Sequence, residues 1–327
     1  MLSPAPIIEL ATAYWKSRAF LAALKLDIFA ALGSEGQPPA VLSAKLKVPE
    51  EKLRILLGTL AELGLVELRQ DTGDVAPTPL SAMFLNPASP ACMAPALRYA
   101  VEMYPLWDNL ENALRQGESR AAPPSKKDTP GFLRSMHGRA QMLAPAVLPL
   151  LDLKPEDHIL DVAAGAGSWS LLLQQRVGIR NLLLLEQPEL LGEMRAFITT
   201  AGLEKARFAD GDYRVWSPSE SFDAILYFGA LHQEPAAAMP ELFARLTSWL
   251  KPGGQLYVLD LFYGAGEPNS LFAYLFGLSM MITRSGSVQE LAAAVAALRS
   301  CPFVGEVREQ RVPGDMPYHL LRARRRT

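Results

Sequence analysis

Cysteine is nearly absent from this sequence: among its 327 residues there are only two, Cys92 and Cys301. Two cysteines cannot build the set of disulfides that stabilises a small secreted domain, and two that lie so far apart do not show the ligand spacing of a structural zinc site. The histidines and carboxylates also show no metal-ligand spacing. We therefore expect neither a disulfide framework nor a bound metal ion.

Long hydrophobic runs are missing as well. The most apolar window, residues 271–282, is too short to span a bilayer, and we predict that it forms a core helix. The first ten residues lack the basic start and the apolar centre of a signal peptide. These two absences predict a soluble, cytoplasmic protein that has no membrane partner.

Neither sign of charge is in large excess. The chain has 32 basic and 34 acidic residues, which gives a net charge of −2 at pH 7. A chain with this balance has no overall attraction to nucleic acid or to an anionic membrane. Half of the residues are hydrophobic and a fifth are charged, and the length suffices for two domains. This composition is typical of a globular enzyme.

The first 115 residues predict a mainly helical domain. Three segments have apolar residues at helical spacing, and two short apolar runs then flank a turn-forming sequence. The segments are 7–32, 39–47 and 49–63, and the runs are 66–68 and 75–78. Three helices followed by a hairpin are typical of a winged-helix domain, to which we assign residues 1–115.

A winged helix raises the possibility of DNA binding. In the candidate recognition helix, residues 50–66, basic and acidic side chains are mixed, and no basic wing follows. A DNA-binding helix would normally present a basic face. We therefore favour a packing or dimerisation module, and we expect no nucleic-acid partner.

A polar segment rich in proline and glycine, residues 116–131, is predicted to link this domain to a second one at 132–327. In the second domain, strands at 158–162, 181–185, 206–209, 222–228 and 255–261 alternate with helices. Such alternation predicts a mostly parallel sheet that is covered on both faces. Two late strands around a Pro-Gly-Asp turn suggest an antiparallel edge.

The most informative stretch is a strand, a glycine-containing turn, a helix and a second strand that ends in an acid, all within 157–188. Gly165 and Gly167 allow the backbone to approach a ligand, and Glu186 is placed to accept hydrogen bonds from a ribose diol. Asp161 ends the first strand. Its negative charge would repel a pyrophosphate but attract an ammonium or sulfonium group. This favours S-adenosyl-L-methionine (SAM) over NAD.

Polar side chains follow several of the predicted strands. Asp161, Glu186, Asp212 and His232 all lie at or just after a strand's carboxyl end. In an open parallel sheet, ligands bind at these ends. We therefore expect the four side chains to face one crevice.

Eight segments together resemble one protein family. In chain order they are AYWKSRAFLAALKLDIFAAL, LRILLGTLAELGLVE, YPLWDNLENALRQG, ILDVAAGAG, LEQP, GDY, FDAILYFGALH and LKPGG. The chain resembles class I SAM-dependent methyltransferases, and more narrowly small-molecule O-methyltransferases that have an N-terminal winged-helix dimerisation domain. The resemblance implies an α/β fold with a Rossmann-like sheet, a homodimer, SAM as cofactor and S-adenosylhomocysteine (SAH) as product.

The resemblance also implies roles for single residues. Gly165 and Gly167 would hold the amino-acid part of SAM with Asp161 nearby, and Glu186 would bind the ribose hydroxyls. Each position also has a purely structural interpretation. Glu186, for example, could simply be an exposed strand end.

Further along the chain, Asp212 and Tyr213 fall where the family contacts adenine, and we include Phe228 in the predicted cofactor site. His232 would be the general base that deprotonates the acceptor hydroxyl. Asp212 is also a common turn residue. A single histidine after a strand often has only a structural role.

Three features depart from the family pattern. After His232 the family usually has Asp-Trp, whereas Gln-Glu-Pro follows here. No acid stands at the place in 284–290 that matches the family's second acid, which orients the histidine, so Glu234 and Glu290 are the open candidates for that role. A lysine that often precedes the histidine by four residues is Phe228 here.

The resemblance places the acceptor pocket around the 271–281 helix, a segment of the partner's N-terminal domain and five side chains. These are Tyr104, Trp107, Phe132, Met136 and His137. Residues of these types at helical spacing are also typical of an ordinary core. The predicted function is methyl transfer from SAM to a hydroxyl of a small, aromatic or polyketide-like metabolite. The alternatives are N- or C-methylation, a non-methylating reaction on the same fold, or a SAM-sensing DNA-binding regulator.

Overall fold

The fold is described from a computed structural model that covers residues 3–89, 91–116, 129–203, 205–266, 270–283 and 286–327. The chain forms two compact units, residues 1–105 and 106–327. Most of the predicted linker, residues 117–128, lies outside the described residues. Cys92 and Cys301 are both free thiols.

The first unit is a small helical domain with one hairpin. Its elements are α1 (Ala5–Lys25), α2 (Ile28–Leu32), α3 (Pro39–Leu46), α4 (Glu50–Glu62), β1 (Val66–Leu68), β2 (Val75–Pro77), α5 (Pro79–Phe84) and α6 (Ala94–Met103). Strands β1 and β2 pair antiparallel, as predicted. Leu53, Leu57 and Leu60 recur along one face of α4, and this face is buried in the core of the unit.

The predicted helix over 7–32 is in fact two helices. Asp27 has a φ of 61°, in the left-handed region, and it separates α1 from α2. Aspartate adopts this conformation more readily than most residues. Its carboxylate forms an ion pair with Arg98 of α6. The apolar periodicity continues across the break, which is why the sequence suggested a single helix.

A second predicted helix, over residues 92–115, is also interrupted. Helix α6 ends at Met103, a 3₁₀ helix covers Tyr104–Asn109, and α7 covers Leu110–Gln116. Pro105 lies at the start of the 3₁₀ segment. Proline has no N–H to donate and its ring clashes with the preceding turn, so a continuous α-helix is unfavourable there.

The second unit contains the large sheet and the helices around it. Its elements are α8 (Thr129–Val147), β3 (His158–Val162), α9 (Ser168–Arg176), β4 (Asn181–Glu186), α10 (Pro188–Thr200), β5 (Arg207–Asp210), β6 (Phe222–Phe228), α11 (Met239–Ser248), β7 (Leu250–Tyr263), α12 (Ser270–Thr283), β8 (Gln289–Glu290), α13 (Leu291–Ser300), β9 (Val304–Arg311) and β10 (Tyr318–Arg325). Short 3₁₀ helices cover Leu148–Leu150, Leu231–Gln233 and Ala236–Ala238.

The strands of the second unit follow the order β5-β4-β3-β6-β7-β10-β9 across the sheet. Strands β3 to β7 pair parallel with one another, and β10 pairs antiparallel with both β7 and β9. Strand order reverses at β3, which pairs with β4 on one side and with β6 on the other. The carboxyl ends beside such a reversal form a crevice. The predicted α/β fold class is confirmed.

Helices cover both faces of this sheet. Alternate residues of a strand point to opposite faces, and on β4 Leu183 and Leu185 belong to one hydrophobic cluster while Leu182 and Leu184 belong to the other. Helices α11 and α13 complete the first cluster. Burial on both sides explains why the central strands are nearly continuous runs of apolar residues.

The prediction that 271–282 forms a core helix is only half right. The segment is helical, as α12, but Leu271, Tyr274 and Leu275 are exposed in the single chain. Its buried residues include Ala273 and Gly277. A helix that is apolar on every side can bury only the side that packs against the sheet. Among the described residues, no helix combines the length and the apolar character needed to cross a membrane.

Truncating a core side chain of α13 tests this packing. Leu298 is fully buried between α13 and the sheet, so we expect Leu298→Ala to lower the free energy of unfolding by about 2–5 kcal/mol, because a cavity remains. Arg299 is exposed on the same helix, and Arg299→Ala should cost about 0.5 kcal/mol or less. Urea titration followed by tryptophan fluorescence measures both, and equal costs would contradict the described packing.

Candidate functional site

The turn between β3 and α9 is built from residues in the left-handed region. Ala163, Gly165 and Gly167 have φ values of 54°, 58° and 66°. A Cβ added at Gly167 would lie 3.0 Å from Leu184 Cδ2 and 3.2 Å from Ile198 Cγ1, so this glycine permits close packing of the turn on β4 and α10. At Gly165 the nearest atom would be the Ala163 carbonyl oxygen at 4.0 Å. The turn is therefore open at Gly165 and closely packed at Gly167.

Glu186 connects the end of β4 to this turn. Its two carboxylate oxygens accept hydrogen bonds from the Gly165 N–H at 2.7 Å and from the Gln187 N–H at 2.8 Å. The side chain is buried, which raises the pKa of the carboxyl group, while the two N–H donors act in the opposite direction. It is therefore not the exposed strand end that the structural interpretation suggested.

Asp161 is a second buried carboxyl group at the same edge of the sheet. Ser170 on α9 donates its hydroxyl to Asp161 Oδ2 at 2.8 Å. Burial raises the pKa of Asp161 to about 7, and the negative charge of Glu186 adds to this rise. A cation beside Asp161 would favour its ionised form.

The two residues predicted to contact adenine have different surroundings. Asp212 is a turn residue that accepts the Arg214 N–H at 2.9 Å and forms an ion pair with the Arg214 side chain at 3.3 Å. Tyr213 is buried in the core, and its hydroxyl donates to Glu234 and accepts from Tyr227. The predicted contact of Tyr213 with adenine stays a prediction.

His232 is held by an acid that the sequence did not reveal. Its Nδ1 lies 3.1 Å from both carboxylate oxygens of Asp260, and its backbone N–H donates to the same carboxylate at 3.2 Å. Both side chains are buried. Asp260 lies near the end of β7, which pairs with β6 directly before the His232 segment. The only sequence signal was a single acid within the apolar strand QLYVLDLF.

Neither of the two acids left open by the sequence orients His232. Glu234 is buried and binds Tyr213 and Arg214, with 2.6 Å between its carboxylate and the Arg214 guanidinium. Glu290 is exposed at the end of β8. From the segment 284–290, the Ser287 N–H donates to the His232 carbonyl at 2.7 Å. Residues 284 and 285 lie outside the described residues.

Phe228 and His137, two further predicted residues, each contact a residue near the start of α9. Phe228, at the end of β6, packs edge-on against Trp169 with 5.1 Å between ring centroids. His137 Nδ1 lies 2.9 Å from the Ser168 hydroxyl at the start of α9, and burial lowers the pKa of this histidine. His137 is therefore adjacent to the glycine turn.

Of the other predicted acceptor residues, Phe132 and Met136 are half-buried on α8. Trp107 lies in the 3₁₀ helix Tyr104–Asn109, in the second unit. Tyr104 belongs to the first unit, where the Arg18 guanidinium lies 5.0 Å above its ring.

Two parts of the chain match known protein families. Residues 159–254, from β3 through the glycine turn, Glu186 and His232, match a methyltransferase domain. Residues 8–87 match an O-methyltransferase dimerisation domain. The chain belongs to the SAM-dependent O-methyltransferases. The enzyme class predicted from the sequence is therefore confirmed, and the dimerisation domain supports the predicted homodimer.

Several known O-methyltransferases are similar to this one over most of its length. It is 25% identical to acetylserotonin O-methyltransferase of Mus musculus, over 98% of this chain and 88% of the relative. It is also 25% identical to the tetracenomycin polyketide synthesis 8-O-methyl transferase of Streptomyces glaucescens, over 86% of this chain and 85% of the relative. The crystal structure of human N-acetylserotonin methyltransferase in complex with SAM superimposes with a TM-score of 0.87 at 20% identity, covering 99% of this chain and 97% of that one.

The two glycines of the turn should respond differently to an added methyl group. Gly165→Ala should lower the free energy of unfolding by about 1–2 kcal/mol, the cost of a left-handed conformation in a residue with a Cβ. Gly167→Ala should cost roughly 1–3 kcal/mol more, because its Cβ would also overpack Leu184 and Ile198. Urea denaturation of both variants checks the order, and a larger loss for Gly165→Ala would refute the packing role of Gly167.

Proposed function

We propose that this protein transfers the methyl group of SAM to a hydroxyl of a small aromatic or polyketide-like metabolite, with His232 as general base. The observation that carries this proposal is the His232–Asp260 pair, which lies at the same sheet edge as Asp161 and Glu186. The acetylserotonin and tetracenomycin polyketide O-methyltransferases, as relatives of the chain, support this class of acceptor.

The residues of the crevice fit SAM. An ionised carboxylate has about four acceptor positions, and Glu186 uses one on each oxygen for backbone N–H groups. It therefore retains acceptor positions for the two ribose hydroxyls. The open side of Gly165 gives room for the amino-acid part, and the carboxyl group of Asp161 would attract its ammonium group. Asp212 remains the candidate for the adenine amine.

SAM supplies an electrophilic methyl group, so the task of the chain is to position and deprotonate the acceptor. An Nδ1–H that donates to Asp260 leaves the lone pair on Nε2 of His232 to accept a proton. Nε2 takes the proton of the acceptor hydroxyl as the oxygen attacks. Asp260 then stabilises the resulting imidazolium, as the aspartate does in a Ser-His-Asp triad. A phenol with a pKa of about 10 needs such a base at neutral pH.

Binding of SAH tests the cofactor residues. Glu186→Gln should weaken SAH binding by roughly 10- to 100-fold, because hydrogen bonds to a charged acceptor are lost. Glu189→Gln, a change to an exposed glutamate on the neighbouring helix α10, serves as the control and should have no effect. Isothermal titration calorimetry measures both, and unchanged affinity in Glu186→Gln would refute the ribose assignment.

Proton release should accompany the binding of SAH. Asp161 has a pKa of about 7 in the free protein, so it is largely protonated at pH 6. A bound ammonium group lowers that pKa, and a proton leaves on binding. Calorimetry at pH 6 in two buffers of different ionisation enthalpy should show the release, which should be absent at pH 9 and in Asp161→Asn. No buffer dependence in the wild type would rule out the proposed charge contact.

The histidine–aspartate pair should control turnover but not cofactor binding. Both His232→Asn and Asp260→Asn should lower kcat by about 10²–10⁴-fold, because the proton acceptor or its correct tautomer is lost. SAH affinity should stay within about twofold of the wild type, since neither residue is assigned to the cofactor. Methyl incorporation from labelled SAM into a panel of phenols measures this. The matched control is His158→Asn, at the opposite end of β3. Near-normal kcat in Asp260→Asn would rule out the orienting role of Asp260.

A further inference from the structure

Arg139 on α8 lies beside the same aromatic ring as the candidate base. Its guanidinium carbon is 5.9 Å from the centroid of the Phe276 ring, on α12. The His232 imidazole meets Phe276 edge-on, with 5.0 Å between centroids. A guanidinium and a base that contact one ring are close enough to bind a single small molecule.

The position of Arg139 on α8 also points to the acceptor side of the site. Phe132, Met136 and Arg139 follow one another at spacings of four and three residues, so they share one face of the helix. Phe132, Met136 and His137 are all predicted acceptor residues, and His137 contacts Ser168 beside the glycine turn. Arg139 therefore lies on the face of α8 that carries the predicted acceptor residues Phe132 and Met136.

A buried tyrosine locates Arg139 with respect to Asp260. Burial raises the pKa of Tyr318, and the positive charge and hydrogen bonding of Arg139 oppose this rise. Tyr318 begins β10 and pairs with Leu261, the residue after Asp260. Arg139 thus lies near the end of β7, where Asp260 holds His232.

Arg139 has no carboxylate partner within 4.0 Å in the parts of the chain that the structure describes. Its neighbours are an aromatic ring and a phenol hydroxyl. Two other arginines of the unit do have such a partner: Arg207 pairs with Glu220, and Arg322 with Asp152. A half-buried guanidinium that has no carboxylate partner can form charge-assisted hydrogen bonds with an anionic group of a ligand.

We propose that the acceptor is a hydroxylated aromatic carboxylic acid whose carboxylate binds Arg139 while its hydroxyl faces His232. This inference rests on the proposed function and names the substrate class within it. The hydroxyl proton moves to His232 Nε2, the oxygen gains the methyl group, and SAH leaves. The carboxylate is bound and not altered. Arg139 is therefore a specificity-determining residue, since its planar fork matches a carboxylate.

Matched acids and esters test the proposal directly. The SAH-loaded protein is titrated with dihydroxybenzoate and with hydroxynaphthoate, each beside its own methyl ester. The wild type should bind each acid roughly 10- to 100-fold more tightly than the ester, because the charge-assisted hydrogen bonds are present only with the acid. Arg139→Gln should remove this preference, and Arg139→Lys should keep part of it. Arg134→Gln, at an exposed position of α8, is the control and should keep all of it.

The outcomes separate this inference from the function on which it rests. Equal or weaker binding of the acids by the wild type overturns the inference, and so does a preference that survives in Arg139→Gln. If the protein still binds SAH and methylates the neutral esters, the proposed function stands without the carboxylate. If the wild type binds no SAH, the proposed function fails as well. The wild-type comparison decides the matter even where a variant does not fold.

Discussion

The hydrogen bonds of Glu186 are the interaction on which the candidate site depends. One carboxylate connects the end of β4 to the Gly165 N–H in the turn after β3, so two neighbouring strands and the start of α9 are fixed relative to one another. The close approach at Gly167 reinforces this arrangement. Because Glu186 and Asp161 are both buried there, their charges have a cost that a cationic ligand would offset. The crevice is thus electrostatically suited to a positively charged cofactor.

Two acids lie near His232, and the one that is closer in sequence does not contact the imidazole. Glu234 lies two residues from the histidine but is held by Tyr213 and Arg214, which fix the loop after β5 to the loop after β6. Asp260 is far away in sequence, yet it contacts Nδ1. Parallel pairing of β6 with β7 brings this acid to the histidine. A departure from the family pattern after His232 therefore need not remove an orienting acid, because another strand can supply it.

The features that local sequence determines were predictable. Helix Ser168–Arg176 and strand Phe222–Phe228 have the predicted bounds, because periodicity and flanking glycines are local signals. Asp260, in contrast, was missed, since its role depends on strand pairing that the sequence does not display. The break at Asp27 was missed for a different reason, because one residue's left-handed conformation leaves the apolar pattern intact. Burial was also overestimated on α12, where apolar character does not indicate which side is covered.

The family match explains why apolar residues of the first unit are exposed. On α1, Ile8, Leu10 and Trp15 are between 58% and 79% exposed in the single chain. They fall within the segment that matches the O-methyltransferase dimerisation domain. Clustered apolar surface of this kind is uncommon on a monomer and typical of an interface. Leu21, Ala23 and Leu24, near the end of α1, belong to the core of the unit, so the exposed first half of this helix is available for association. Dimerisation therefore explains an apolar surface that the fold of one chain leaves uncovered.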